Sequence, residues 1–197
     1  INFGVHVVNK AHGVGMYSPY ISYSTFEVYN KEQIEYYKVS SPNINYVINR
    51  DIKEPLEAPA NIQGLPKAIV YIHSNVEDIG AKCEIRIQNL ILQSLENVST
   101  KEGLPLILKI HPNTSDKKVA ILQDKGFACE KDVNKIVKRY RPIFVTIIST
   151  AFYDFRLLGE FYFYRDKYNN PTAYFGKEIQ TFEVNSLVET LKRKIYV

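Results

Sequence analysis

A chain of 197 residues with 45% hydrophobic and 23% charged residues has room for one ordinary core and the composition of a globular protein, which excludes disordered and fibrous classes. No apolar run approaches the roughly 20 residues that span a bilayer, and the first residues lack the charged-then-apolar pattern of a secretory signal, so a cytoplasmic protein is expected. The net charge of +4 at pH 7 is modest and does not point to nucleic acid. Two basic groups, Lys192-Arg193-Lys194 and Lys135, Lys138, Arg139 and Arg141, read either as solvated faces or as patches for anionic ligands and acidic lipid at the inner face of the membrane. Cys83 and Cys129 are too few for a disulfide framework and join no Cys/His cluster, so reduced thiols and no metal are expected.

In chain order, Ile1 to Val8 has the pattern of a buried strand, and because it opens on Ile rather than Met we expect a piece of a longer chain. A loop through His12, Gly13 and Gly15 follows, then an extended stretch from Ile21 to Tyr29 and a short helix from Lys31 to Val39. Ser40 to Pro66 carries Pro42, Pro55, Pro59 and Pro66 and reads as a connection broken by a short strand near Tyr46 to Ile48. Residues 1–66 are therefore expected to be a loop-rich segment leading into a main domain at 67–197. There, Ala68 to Ile72 is an unbroken apolar run of the kind buried on both faces of a parallel sheet. Ala81 to Val98 spaces Cys83, Ile87, Leu90, Ile91 and Leu95 as a helix does, with Gly103 past its end. Leu104 to Ile110 predicts a second buried strand, Ser115 to Lys125 a helix closed by Gly126, and Ile143 to Ile148 a third strand. A helix over Thr150 to about Leu158, a strand over Phe161 to Tyr164 and a final helix over Ser186 to Ile195 complete the alternation. The fold class is α/β, a doubly wound parallel sheet with helices on both faces.

Ligands of such sheets sit beyond the carboxyl ends of the strands, which makes the residues that end strands the first candidates. His111-Pro112 follows Leu106-Ile107-Leu108-Lys109-Ile110; the histidine there either bonds or protonates a phosphate or merely ends its strand, and the proline fixes the turn. Ser149-Thr150 follows the Ile143–Ile148 run and precedes a helix, so its hydroxyls read either as an anion site or as helix caps. His73-Ser74-Asn75-Val76-Glu77-Asp78-Ile79-Gly80 follows the first strand of the main domain. Ser74 offers a phosphate contact, while Glu77 and Asp78 serve as a base or ribose contact or simply suit a helix N-terminus. His12 is a further polar candidate in the early loop. Walker, GxGxxG and zincin patterns are missing, which argues against the commonest NTPases, dehydrogenases and metalloproteases; no cofactor is expected.

Taken together, the His111-Pro112 and Ser149-Thr150 pairs resemble the HP and S-S/T motifs of bacterial sialyltransferases and polysialyltransferases. That resemblance implies the nucleotide-binding, Rossmann-like half of a GT-B fold, with His111, Ser149 and Thr150 on the phosphate of a CMP-activated sugar such as CMP-sialic acid. Ser149-Thr150-Ala151-Phe152-Tyr153-Asp154-Phe155, continuing to Phe161-Tyr162-Phe163-Tyr164-Arg165-Asp166, is similar to teichoic-acid glycerophosphotransferases, which use CDP-glycerol. Ala11-His12-Gly13 and Phe26 to Gln33 look like the corresponding loop and strand-helix of capsule-assembly transferases. The implied partners are a cytidine-nucleotide donor and a glycan or glycolipid acceptor, in capsule or lipooligosaccharide synthesis. Glu77-Asp78-Ile79-Gly80 departs from the families' acidic D/E-D/E-G motif by one residue before its glycine, and the length supplies little more than one of the two GT-B domains. A transferase incomplete without an acceptor-binding domain is expected, with a non-catalytic nucleotide- or glycan-binding module as the rival.

Overall fold

The computed structural model describes residues 8–10, 24–49, 54–74, 82–167 and 169–196. Within them lie a three-stranded sheet, β1 (Val8–Lys10), β2 (Thr25–Val28) and β3 (Asn45–Ile48) in that order, and a six-stranded sheet. The larger sheet contains β4 (Lys67–Ile72), β5 (Leu106–Lys109), β6 (Ala128–Glu130), β7 (Arg141–Thr146), β8 (Glu160–Tyr164) and β9 (Gln180–Phe182) in the order β6-β5-β4-β7-β8-β9. Every pairing in both sheets is parallel. Parallel neighbours need a crossover, and α2 (Lys82–Glu102), α3 (Asp116–Asp124), α4 (Val133–Val137), α5 (Ala151–Phe155) and α6 (Thr172–Phe175) supply the five in the larger sheet. The chain winds outward from β4 to β6, returns to the other side of β4 with β7, and winds outward again. The result is the expected Rossmann-like α/β arrangement, its strand order reversing between β4 and β7.

Alternate residues of each strand face opposite sides, and both sides are covered. Ile69, Tyr71, Leu108, Val145 and Tyr162 meet α2 through Ile91 and Leu95, and meet α7 (Leu187–Ile195) through Leu187 and Leu191. On the other side Val70, Ile72, Ile107, Phe144, Phe161 and Phe163 meet Val133, Ile136 and Val137 of α4 and the aromatic rings of α5 and α6. Phe144 stacks on Phe161 with centroids 4.6 Å apart, and Phe163 lies 4.6 Å from Phe175. Double coverage is why β4 and β7 are almost wholly apolar: each buried large side chain contributes roughly 1.5–3 kcal/mol, and neither of these two strands has a solvated face.

The helices end where their punctuation says. Ser115 caps α3, its Oγ accepting from the Lys118 N–H at 3.4 Å, and Gly103 and Gly126 take positive φ of 66° and 92° just past α2 and α3. Lys31–Lys38 forms α1, capped by Asn30, whose Oδ1 accepts from the Gln33 N–H at 2.9 Å. The helix expected from Thr150 to about Leu158 stops at Phe155. After it, Arg156 and Leu158 donate to the carbonyls of Phe152 and Phe155, and this tight turn delivers the chain to β8. Four short elements, β6, α4, α6 and β9, escaped the sequence reading.

Before residue 67 the described residues hold the three-stranded sheet and α1. That sheet packs Phe26 and Val28 against Tyr37 of α1, with Phe26 and Tyr37 edge to face at 5.5 Å. At the carboxyl end of β2, Tyr29 stacks on Tyr153 of α5 with centroids 5.0 Å apart and planes 5° apart, and Asn30 Nδ2 donates to the Tyr153 hydroxyl at 2.8 Å. The carboxyl rim of the small sheet therefore meets α5 just beyond the carboxyl rim of the large one.

Candidate functional site

The site candidates fall where the topology concentrates strand ends. Neighbouring parallel strands lie about 4.8 Å apart, so the ends of β5, β4 and β7 form a rim some 10 Å across at the reversal of strand order. His111-Pro112 follows β5, His73-Ser74 follows β4, and Ser149-Thr150 follows β7. These three pairs share one rim; His12, Glu77 and Asp78 lie outside the described residues.

His111 is exposed and held by its own turn: its Nδ1 accepts from the Asn113 N–H at 3.2 Å, and its carbonyl accepts from the Thr114 N–H at 3.0 Å. That acceptor role fixes the tautomer, leaving the Nε2 proton to be donated outward. Pro112 is exposed and sets the turn. Ser149 Oγ accepts from the Ala151 N–H at 3.2 Å, so Ser149 does cap the turn into α5, yet a hydroxyl that accepts one bond still has its own proton to donate. Thr150 is half-buried and makes no side-chain cap bond. Five residues give α5 little dipole, so any preference for an anion here rests on the hydroxyls rather than on the helix end. Ser74 is half-buried beside His73, which is buried under the rim with Nε2 3.4 Å from Gln88 Nε2; Gln88 in turn accepts from the Tyr71 hydroxyl at 3.2 Å.

Two polar residues of the rim were passed over as strand residues. Lys109 ends β5 with only 6% of its surface exposed, its Nζ donating to the Ile110 carbonyl at 2.9 Å and standing 5.9 Å from the centre of the Phe155 ring. Burial pulls its ammonium below the ordinary lysine range, and the charges of Asp132 and Glu130 offset part of that fall. Thr146 ends β7, is fully buried, and its Oγ1 has no hydrogen-bond partner among the described residues. The signal was present: each is a polar residue inside an otherwise apolar strand, where burial needs compensation.

A cavity of about 380 Å³ opens further along, at the ends of β8 and β9, lined by Tyr164, Arg165, Asp166, Lys167, Glu183 and Asn185. None of these residues belongs to the His111, Ser74 or Ser149 pairs at the ends of β5, β4 and β7. Among the described residues no group of His, Cys, Asp and Glu is arranged to hold a metal ion, and no helix is long and apolar enough to cross a membrane.

Tyr164 links the cavity to a prediction. Its hydroxyl donates to Asp166 Oδ2 at 2.9 Å; burial first, then that bond and the charges of Asp166 and Glu183, push it up to about 12 from an ordinary 10.0. Burial, together with Glu160, raises Tyr162 in the same direction. A folded value above the unfolded one means a contribution fully present below pH 10 and lost as pH rises through the folded value. The urea midpoint is expected to fall from pH 10 towards about 12, with phenolate absorbance from these tyrosines appearing only as the chain unfolds. Early, unfolding-independent ionisation of all tyrosines contradicts this.

Strand order and rim together define the class: a Rossmann-like α/β protein whose polar pairs gather at the strand-order reversal. Set against known proteins, the sequence matches no family model and no curated protein.

Proposed function

We propose that this chain is the nucleotide-binding part of a bacterial glycosyltransferase that takes its sugar from a cytidine-nucleotide donor such as CMP-sialic acid, at the inner face of the membrane. One observation carries the reading: a His-Pro pair and a Ser-Thr pair, the two motifs resembling the sialyltransferase families, end strands on either side of β4 at the switch point where Rossmann-like sheets take phosphates. In the reaction the acceptor hydroxyl oxygen bonds to the anomeric carbon of the donor sugar while the bond from that carbon to the phosphate oxygen breaks, inverting the centre. CMP leaves with the bonding pair. His111 Nε2–H donates to the departing phosphate, and the hydroxyls of Ser149 and Thr150 spread its charge. The acceptor's proton passes to a base, a role left to the acidic pair Glu77-Asp78 or to an acceptor-binding part of a longer protein.

The test is a thermal-shift series with CMP, CDP, UDP and GDP on the whole chain, since a ligand that binds the native state raises stability by mass action. A larger shift with CMP or CDP than with UDP or GDP is expected. Release of CMP from CMP-sialic acid then distinguishes a transferase from a binding module, and turnover of CDP-glycerol in its place redirects the reading to polyol-phosphate transfer. Absence of any shift with cytidine nucleotides overturns it.

A further inference from the structure

Lys109 and Thr146 occupy one row of the large sheet. Lys109 pairs with Ile72 across β5 and β4; the β4–β7 pairing of Tyr71 with Val145 brings Thr146 beside Ile72; and Thr146 pairs with Phe163. Parallel register puts these side chains on the face of Ile107, Val70, Phe144 and Phe161, at its carboxyl end. One row thus holds a buried ammonium and a buried hydroxyl on either side of Ile72, with their backbones about 10 Å apart by strand spacing.

Neither is compensated in the way buried polar groups ordinarily are. Among the described residues Lys109 makes no ion pair, and its one hydrogen bond goes to the carbonyl of the next residue. The nearby carboxylates are engaged elsewhere: Glu130 Oε1 accepts from the Asp132 N–H at 2.9 Å, and Asp132 Oδ1 accepts from the Asn134 N–H at 2.9 Å as the cap of α4. Among the described residues Thr146 Oγ1 has no hydrogen-bond partner. Ser149 and Thr150 follow Thr146 by three and four residues, at the same carboxyl end of β7.

We infer that Lys109 and Thr146 form a phosphate subsite beneath the rim, in which one phosphate group accepts a hydrogen bond from each across Ile72. The phosphate takes the place of the Phe155 ring against the ammonium. That ring is only partly buried and stacks on Phe144 with centroids 5.9 Å apart, so binding of the phosphate takes Phe155 out of that stack. The ligand's identity as a nucleotide phosphate rests on the proposed function, while the subsite itself does not.

The variants are Lys109→Met and Thr146→Val, each close in size to the original and each removing one polar group, tested with inorganic phosphate, pyrophosphate, CMP and the nucleoside cytidine. Both variants are expected to fold with unchanged or raised midpoints in the absence of ligand, since an uncompensated buried group is gone. Affinity of wild type for phosphate and CMP exceeds that of Lys109→Met by at least tenfold and that of Thr146→Val several-fold, with cytidine alone giving no shift in any of them. If Lys109→Met fails to fold, Thr146→Val still decides. Full retention of the phosphate and CMP shifts in the folded variants overturns the subsite even where cytidine-nucleotide binding stands. A wild type that answers phosphate and pyrophosphate, shows no preference for CMP, and loses the response on Lys109→Met upholds the subsite while the transferase reading fails.

Discussion

Gly159→Ala is expected to destabilise the chain by about 3 kcal/mol or more, an effect large enough to unfold a domain of ordinary stability. Gly159 stands in the turn between α5 and β8, and a Cβ built on it falls 2.2 Å from the Pro142 carbonyl oxygen and 3.0 Å from Pro142 Cγ. Neither atom is the free end of a flexible side chain. Pro142 lies buried in β7, paired with Ala68 of β4, so relief of the overlap pulls the central pair of the sheet out of register or lifts β8 off it. Gly64→Ala supplies the control, because nothing lies within 4 Å of a Cβ there. Urea denaturation followed by circular dichroism measures both; an unchanged midpoint for Gly159→Ala shows that the turn yields without disturbing β7.

His111→Ala is expected to lower release of CMP from the donor by ~10²–10⁴-fold, the range that a positioned acid commonly supplies. Because His111 is exposed and its hydrogen bonds among the described residues stay within its own turn, the folded state should be nearly untouched, and the thermal midpoint without ligand serves as the check. The division between parameters is informative. If Nε2–H protonates the leaving group, kcat falls with little change in KM; if it only binds the phosphate, KM rises as well. Wild-type turnover in His111→Ala removes the histidine from the mechanism.

The sequence announced those parts of the fold that are buried on both faces or repeat at a helical period. β4, β5 and β7 are continuous apolar runs because helices cover both sides of the sheet, and α2 shows its apolar stripe over five turns. β6 and β9, at three residues each, are too short to display any period, and α4 and α6 are hardly longer. The order in which the strands pair leaves no trace in local pattern, since it depends on which side of β4 each crossover returns; so the meeting of His111, Ser74 and Ser149 at one rim needed the structure. Lys109 and Thr146 were hidden for the opposite reason. Each sits in a strand so apolar that the run as a whole reads as core, and only the fold shows that a cation and a hydroxyl are carried inside with it. Tyr29 and Asn30 lie where the expected extended stretch gives way to the expected short helix, and their contact with Tyr153 joins residues far apart in the chain, which no local pattern shows.

The all-parallel pairing also governs the order of assembly during synthesis. β4, β5 and β6 all precede β7 in the chain, and Lys67 meets Arg141 only after every crossover between them is complete. Until then the margin of β4 that β7 later covers offers its Ala68-Ile69-Val70-Tyr71-Ile72 backbone to any other strand.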